Sequence, residues 1–190
     1  GIGWVLSIAT DSPFLPRDLV AKYPARADER NLRMPNLHTT YQKGAVDKGI
    51  ARQFPIILTS GRLVEYEGGG EETRSNKWLA ELQQDMFVEI NPRDAGQRNI
   101  ADGQWVWVNG PEGGRTRVKA LVTERVGPGV AWMPFHFGGW YQGEDQRKNY
   151  PQGTDPIVLG ESVNTVTTYG YDPVTGMHEG KATLCQIQAA

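Results

Sequence analysis

Three stretches of the chain carry polar side chains at spacings that chemistry can use. FPIILTS (54–60) runs into GRLVEYEGGGEETR, where three glycines let a backbone approach a ligand closely. Arg62 and Arg74 flank that loop and can make forked contacts to phosphate or carboxylate. WMPFHFGGWY (132–141) ends a strand pattern with His136 between two phenylalanines, just before a Gly-Gly turn. ESVNTVTTYGYDPVTG then supplies amides and hydroxyls able to read the donor and acceptor edge of a heterocycle. Each stretch also has a plainer reading: a solvent loop, a hydrophobic plug with a hydrogen-bonded histidine, and a self-bonded turn.

Other chemistries are disfavoured. His38, His136 and His178 are far apart and share no metal-ligand spacing, with or without Cys185. Ser60 lacks the G-x-S-x-G turn of a serine hydrolase. The glycines at 68–70 are not followed by the Gly-Lys-Ser/Thr of a phosphate loop. Cys185 is the single cysteine, which excludes an internal disulfide and a cysteine-based iron–sulfur site; in an apolar strand it reads as a core residue. A net charge of −2 gives no footprint for nucleic acid or an anionic membrane surface. No apolar run approaches the roughly 20 residues of a membrane span.

The elements that must position these loops follow from turn chemistry and alternation. Twenty-three glycines and twelve prolines among 190 residues, with short apolar runs, point to a β-rich fold. Strands are expected at 54–60, 87–90, 104–109, 115–126, 130–137 and 182–188. Trp105 and Trp107 should project to one face and Val106 and Val108 to the other. Two helices are expected. One is SNKWLAELQQ (75–84), with Ser75 as cap and Trp78, Leu79 and Leu82 sharing a face. The other is NPRDAGQRN (91–99), with Asn91 as cap and Pro92 at its first position. Asp94 then lies where the helix dipole favours negative charge. Six or seven strands with short helices suggest a small closed barrel, which leaves no sheet edge exposed. Residues 1–53, with Pro16, Pro24 and Pro35 among scattered charges, read as an extended arm or linker; 54–190 read as the barrel domain. The opening GIGWVLSIATDSPF has neither an initiator Met nor a charged n-region, and reads as an internal point of a longer parent chain.

Taken in order, LTSGRLVEYEGGGEETR, FVEINPRDAGQRNIADGQWVWVNGPEGGRTRVKALVTERVGPGVAWMPFHFGGW and NTVTTYGYDPVTGMHEGKATLCQI resemble one known domain. It is the C-terminal, molybdopterin-dinucleotide-binding domain of the molybdenum or tungsten oxidoreductases. MPFHFGGW together with GESVNTVTTYGYDPVTG is most similar to the catalytic subunit of formate dehydrogenases. The resemblance covers residues 54 to about 188 and implies a double-psi β-barrel. NPRDAGQRNIADGQWVWV is the family's commonest stretch, specific to the superfamily rather than to the substrate.

By that resemblance, Ser60, Gly61 and Arg62 open a loop that wraps the cofactor, continued by Leu63, Tyr66, Gly68 and Gly69. Relatives often have His or Trp-His where this chain has YEGGG, a departure that shifts the expectation at 66–69 from side-chain to backbone contacts. Asn164, with Thr165 and Thr167 beside it, takes the place of an asparagine that meets the pterin. Lys181 takes that of a lysine before the last strand, and His136 that of a histidine near the pterin. The implied cofactor is bis-molybdopterin guanine dinucleotide with molybdenum or tungsten, shared with other segments. The metal-ligating residue and any iron–sulfur clusters belong to earlier domains or other subunits. The implied activity is two-electron oxidation of formate to carbon dioxide, or its reverse, with this segment inactive alone. The implied partners are the remaining domains of the catalytic subunit and an iron–sulfur electron-transfer subunit, in an exported, periplasmic setting. Two alternatives stay open: the same domain acting on nitrate, arsenic or sulfur oxyanions, or a barrel that binds a nucleotide or protein without redox chemistry.

Overall fold

The computed structural model describes residues 48–153, 159–167 and 181–190. From Gly49 onward these form one compact unit. Residues 1–47 of the expected arm lie outside the described residues, as do His178 and the DPVTG turn. The elements in chain order are α1 (Ile50–Gln53), β1 (Ile56–Gly61), α2 (Lys77–Leu82), β2 (Phe87–Ile90), α3 (Pro92–Gln97) and β3 (Trp105–Asn109). There follow β4 (Arg115–Val122), β5 (Val130–Pro134), β6 (Gly139–Tyr141), β7 (Glu144–Asp145), β8 (Gly160–Glu161) and β9 (Thr183–Ala189).

Six strands close into the expected barrel in the order β1-β5-β2-β4-β3-β9. The β1/β5 and β2/β4 pairs are parallel, and the others are antiparallel. Alternation explains the inside. Leu58, Val88, Val106, Val118, Met133 and Ile187, one from each strand, are fully buried on the inner face. Cys185 joins them as expected, and burial pushes its thiol up to about 12. The tryptophans of β3 face outward instead. Arg115 lies over Trp107 at 4.4 Å and Arg117 over Trp105 at 5.1 Å. Trp140 of β6 stacks beside Trp105 with ring centroids 6.3 Å apart. A small sheet, β7-β6-β8, thus has an aromatic contact with the barrel wall.

The end of the barrel holding the N-termini of β1 and β5 is tied by the stretch NPRDAGQRNIADGQWVWV. Asn91 caps α3 by accepting from Arg93 N at 3.0 Å and donates its amide to Val126 O at 2.8 Å. Asp94 accepts from Gly129 N at 2.6 Å, and Asp102 from Val122 N at 2.9 Å. The expected cap and Asp94 position are both present, and their contacts are to the fold itself.

Three expectations need correction. The cap of α2 is Asn76, not Ser75: Asn76 has the extended ψ of 112° that a cap needs, and its side chain accepts from Trp78 N and Leu79 N. Ser75 closes a preceding 3-10 turn and donates its hydroxyl to Glu72 O at 2.7 Å. Nor does α2 bury the expected face, since Trp78 is 80% exposed and Leu82 71%. The helix has under two turns and rests on Ala80, with only Leu79 of the expected trio packed against the core. The fifth strand also stops sooner, at Pro134, where the ring removes a ladder donor.

Candidate functional site

Strand directions gather the candidate residues at the other end of the barrel. There β1, β5 and β3 finish while β2, β4 and β9 begin. Ser60 and Gly61 pair with Met133 and Pro134, and Phe135 N extends the contact to Gly61 O at 3.2 Å. The β1/β9 ladder ends with Leu58 opposite Thr183. Continued by two residues, that register sets Lys181 level with Ser60. Asn109 and Arg115, the mouth of the β3–β4 hairpin, lie at this same end. Thr165 and Val166 lie against Gly114 and Gly110 of that hairpin, so Ser60, Gly61, Arg62, Asn164, Thr165 and Lys181 all lie at one end of the barrel, although 121 positions separate the first from the last.

The loop after β1 is held from beneath by His136. This imidazole is 2% exposed, and its Nε2 accepts the Leu63 N–H at 2.9 Å. The bond requires an unprotonated Nε2, so the ring proton sits on Nδ1, which faces the Gly68 backbone without an aligned hydrogen bond. Burial lowers the His136 pKa from its ordinary 6.5, and the Arg62 guanidinium lowers it further. Tyr66 packs its ring 5.7 Å from both His136 and Phe137 and donates its hydroxyl to Gln83 O. Gly70, at φ 84°, sits so close that a Cβ would come 2.8 Å from His136 O. The side chains of His136 and Tyr66 are thus engaged in shaping the loop. Outward the loop presents the side chains of Arg62, Val64 and Glu67 and the backbone around Gly68 and Gly69.

Asn164 sits in a 3-10 turn, Val163–Thr165, plugged into the core by Val163 and Val166. Thr167 hydroxyl donates back to Val163 O at 3.2 Å and closes the turn. Asn164 itself is exposed, and its amide makes no hydrogen bond to the described residues. Two features of this turn escaped the sequence reading. Glu161, wholly buried, accepts three backbone N–H groups: Arg117 at 3.1 Å, Gln142 at 3.0 Å and Gly143 at 2.5 Å. Gly110 and Gly114, the first and last residues of the loop between β3 and β4, lie against Val166 and Thr165. A charged residue before a polar turn and glycines in a hairpin are both commonplace in sequence, so neither gave a signal.

The donors at this rim fit a large anionic, heterocyclic ligand. Arg62 and Lys181 are exposed cations outside any ion pair among the described residues. Ser60 Oγ and His136 Nδ1 are buried there without an aligned hydrogen-bond partner. Together they offer charge for phosphate and amide and hydroxyl groups for a ring edge. A groove of about 470 Å³ leaves the rim at Arg62 and Leu63 and runs along the outer wall to Asp102. Its charges are mixed, with Lys119 paired to Asp85 at 2.6 Å, so it is no cationic trough. Above it Arg125 lies 2.9 Å from Glu89, a charge contact without hydrogen-bond alignment. Burial raises the Glu89 pKa, and Arg125 lowers it by less. Among the described residues no three His, Cys, Asp or Glu side chains cluster to hold a metal.

Known proteins share this architecture. The family model described as "Molydopterin dinucleotide binding domain" matches residues 56–184. Formate dehydrogenase 2 subunit alpha (cytochrome c-553) of Nitratidesulfovibrio vulgaris is 31% identical over 153 residues, covering 76% of this chain and 14% of the relative. Formate dehydrogenase subunit alpha of Megalodesulfovibrio gigas is 29% identical over 141 residues, 73% of this chain and 13% of the relative. The assimilatory nitrate reductase catalytic subunit of Bacillus subtilis is 28% identical over 103 residues, 54% of this chain and 14% of the relative. The chain therefore spans only a small part of these relatives' length. Acetylene hydratase from Pelobacter acetylenicus superposes with a TM-score of 0.57 at 16% identity, over 76% of this chain and 19% of that one, a likeness of fold.

Proposed function

The chain belongs to the molydopterin dinucleotide binding domain family, and from that premise we propose that it closes the cofactor site of a formate dehydrogenase catalytic subunit. The observation that supports this best is the shared rim: residues 60–62, Asn164, Thr165 and Lys181 meet at one end of a barrel related to formate dehydrogenase alpha subunits. When bound, a bis-molybdopterin guanine dinucleotide supplies a molybdenum or tungsten centre able to take two electrons from formate, leaving carbon dioxide and a proton. This chain's part is to bind and orient. Arg62 and Lys181 place positive charge for phosphate oxygens, Asn164 donates and accepts at a ring edge, and the Ser60 hydroxyl lies at the floor. The backbone around Gly68 and Gly69 comes close because His136 and Tyr66 hold the loop in place. Residues that ligate the metal, and an iron–sulfur partner that takes the electrons, belong in this reading to the rest of the assembly.

The test uses the full-length catalytic subunit. Asn164→Ala and Lys181→Ala should each lower the guanine dinucleotide and metal recovered per protein, with folding unchanged by circular dichroism. Full cofactor content in both variants would remove these residues from the reading. The nitrate reductase relative motivates a second reading, in which the same clamp serves an oxyanion reductase. Formate-dependent reduction of a viologen dye favours the first, and nitrate-dependent oxidation of the reduced dye favours the second.

A further inference from the structure

The turn that carries Asn164 is exposed at its tip but fixed at two points, one on β4 and one on the β3–β4 hairpin loop. At the first, Glu161 stands three residues before Asn164 and accepts the Arg117 N–H of β4 together with two N–H groups of the Gln142 and Gly143 turn. A carboxylate with no exposed surface, held by three backbone donors, leaves β8 little freedom to slide or tilt. At the second, a Cβ added to Gly114 would lie 1.9 Å from Thr165 O and 3.0 Å from its carbonyl carbon. A Cβ on Gly110 would lie 2.9 Å from Val166 O. Both neighbours are backbone, so neither can swing aside as a flexible side chain would. Neither glycine has the positive φ that would explain it by conformation. What each provides is space, on which the carbonyls of Thr165 and Val166 rest.

We propose that Gly114 and Glu161 are positioning residues that set the height and tilt of the Asn164 turn over the rim, and so govern how long a ligand stays without touching it. This rests on the assignment of Asn164 as a ligand-binding residue. The GPEGG hairpin then serves as a seat: Gly113, at φ 89°, serves the strand reversal, while Gly110 and Gly114 are requirements of the site.

The experiment measures how fast guanine dinucleotide leaves the loaded full-length enzyme after dilution. It compares Gly114→Ala, Asn164→Ala, their double variant, and Gly127→Ala as a control at the far end, where an added Cβ meets nothing within 4 Å. Gly114→Ala and Asn164→Ala should each speed release about tenfold, the scale on which outer partners of a bound group act. The double variant should release no faster than Asn164→Ala alone, because Gly114 acts through that side chain. Gly127→Ala should match the parent. A double variant whose acceleration is the product of the two singles overturns the proposal, as does parental release from Gly114→Ala. Parental release from Asn164→Ala instead sinks the ligand assignment itself, and the positioning role with it. If Gly114→Ala does not fold, Glu161→Gln takes its place in the same cycle, with the same suppression expected and a product again decisive against it.

Discussion

His136 shows how one residue can be legible by type and not by role. The sequence marks a histidine between aromatics at a strand end, and the structure places it under the rim loop with its Nε2 bonded to Leu63 N. That bond is available only to the neutral ring. Protonation would break it and set a charge in a buried site near Arg62 and Arg74. Because burial lowers the folded pKa below 6.5, the unfolded chain takes up the proton first as pH falls. The stabilisation is complete above 6.5 and is lost as pH drops from there toward the folded value. The unfolding midpoint of the chain should therefore fall between about pH 7 and about pH 5. His136→Gln should flatten that part of the profile. A variant profile parallel to the parent's would show that another group carries the effect. The turn of Asn164 was marked as a candidate by its residue types and by the resemblance, and Lys181 by the resemblance alone. Glu161 and Gly114 were legible through neither route, since their significance lies in backbone groups brought to them from 44 and 51 positions away.

At the scale of elements, local chemistry foretold what local chemistry decides. Alternation located all six barrel strands, and Asn-Pro located the start of α3. It did not foretell which strands pair in parallel, nor β6, β7 and β8, which have three, two and two residues and depend on the barrel wall for support. It also misplaced the face of α2, because helical spacing identifies which residues share a side and not what that side meets. These differences have measurable consequences. Leu58→Ala, in the closed core, should cost about 2–5 kcal/mol in urea unfolding. Trp78→Ala should stay within about 0.5 kcal/mol, since the indole is mostly in solvent. Asn91→Ala should cost about 2 kcal/mol, from a lost cap and a Val126 carbonyl left without its donor. Cofactor release from the full-length enzyme should be unaltered in Asn91→Ala, because Asn91 ties the end of the barrel away from the rim. A Trp78→Ala cost as large as that of Leu58→Ala would mean that α2 rests on its apolar face after all.

The whole molecule divides its labour along the barrel axis. One end, with α3 and the turn at residues 127–129, turns its polar side chains mainly on the fold: Asn91, Asp94 and Asp102 all bond backbone, and Arg98 Nε, at the end of α3, is the buried atom left without an aligned partner. The other end carries exposed cations and, among the described residues, an unbonded amide and the buried Ser60 Oγ without an aligned partner. A closed sheet transmits little motion between them, since each of the six strands is bonded on both sides. Ligand binding should then quieten one end and leave the other as it was. Hydrogen exchange on the full-length enzyme, loaded against cofactor-depleted, reads this directly. Slower exchange in the loaded form is expected at residues 61–70 and 161–167. The N–H of Leu63 is the sharpest reporter, because its bond to His136 breaks whenever the loop lifts. Residues 91–103 and 127–129 should exchange equally in both forms. Protection appearing at residues 91–103 instead would move the site to the opposite end, and would turn the stretch NPRDAGQRNIADG from a tie of the fold into a ligand surface.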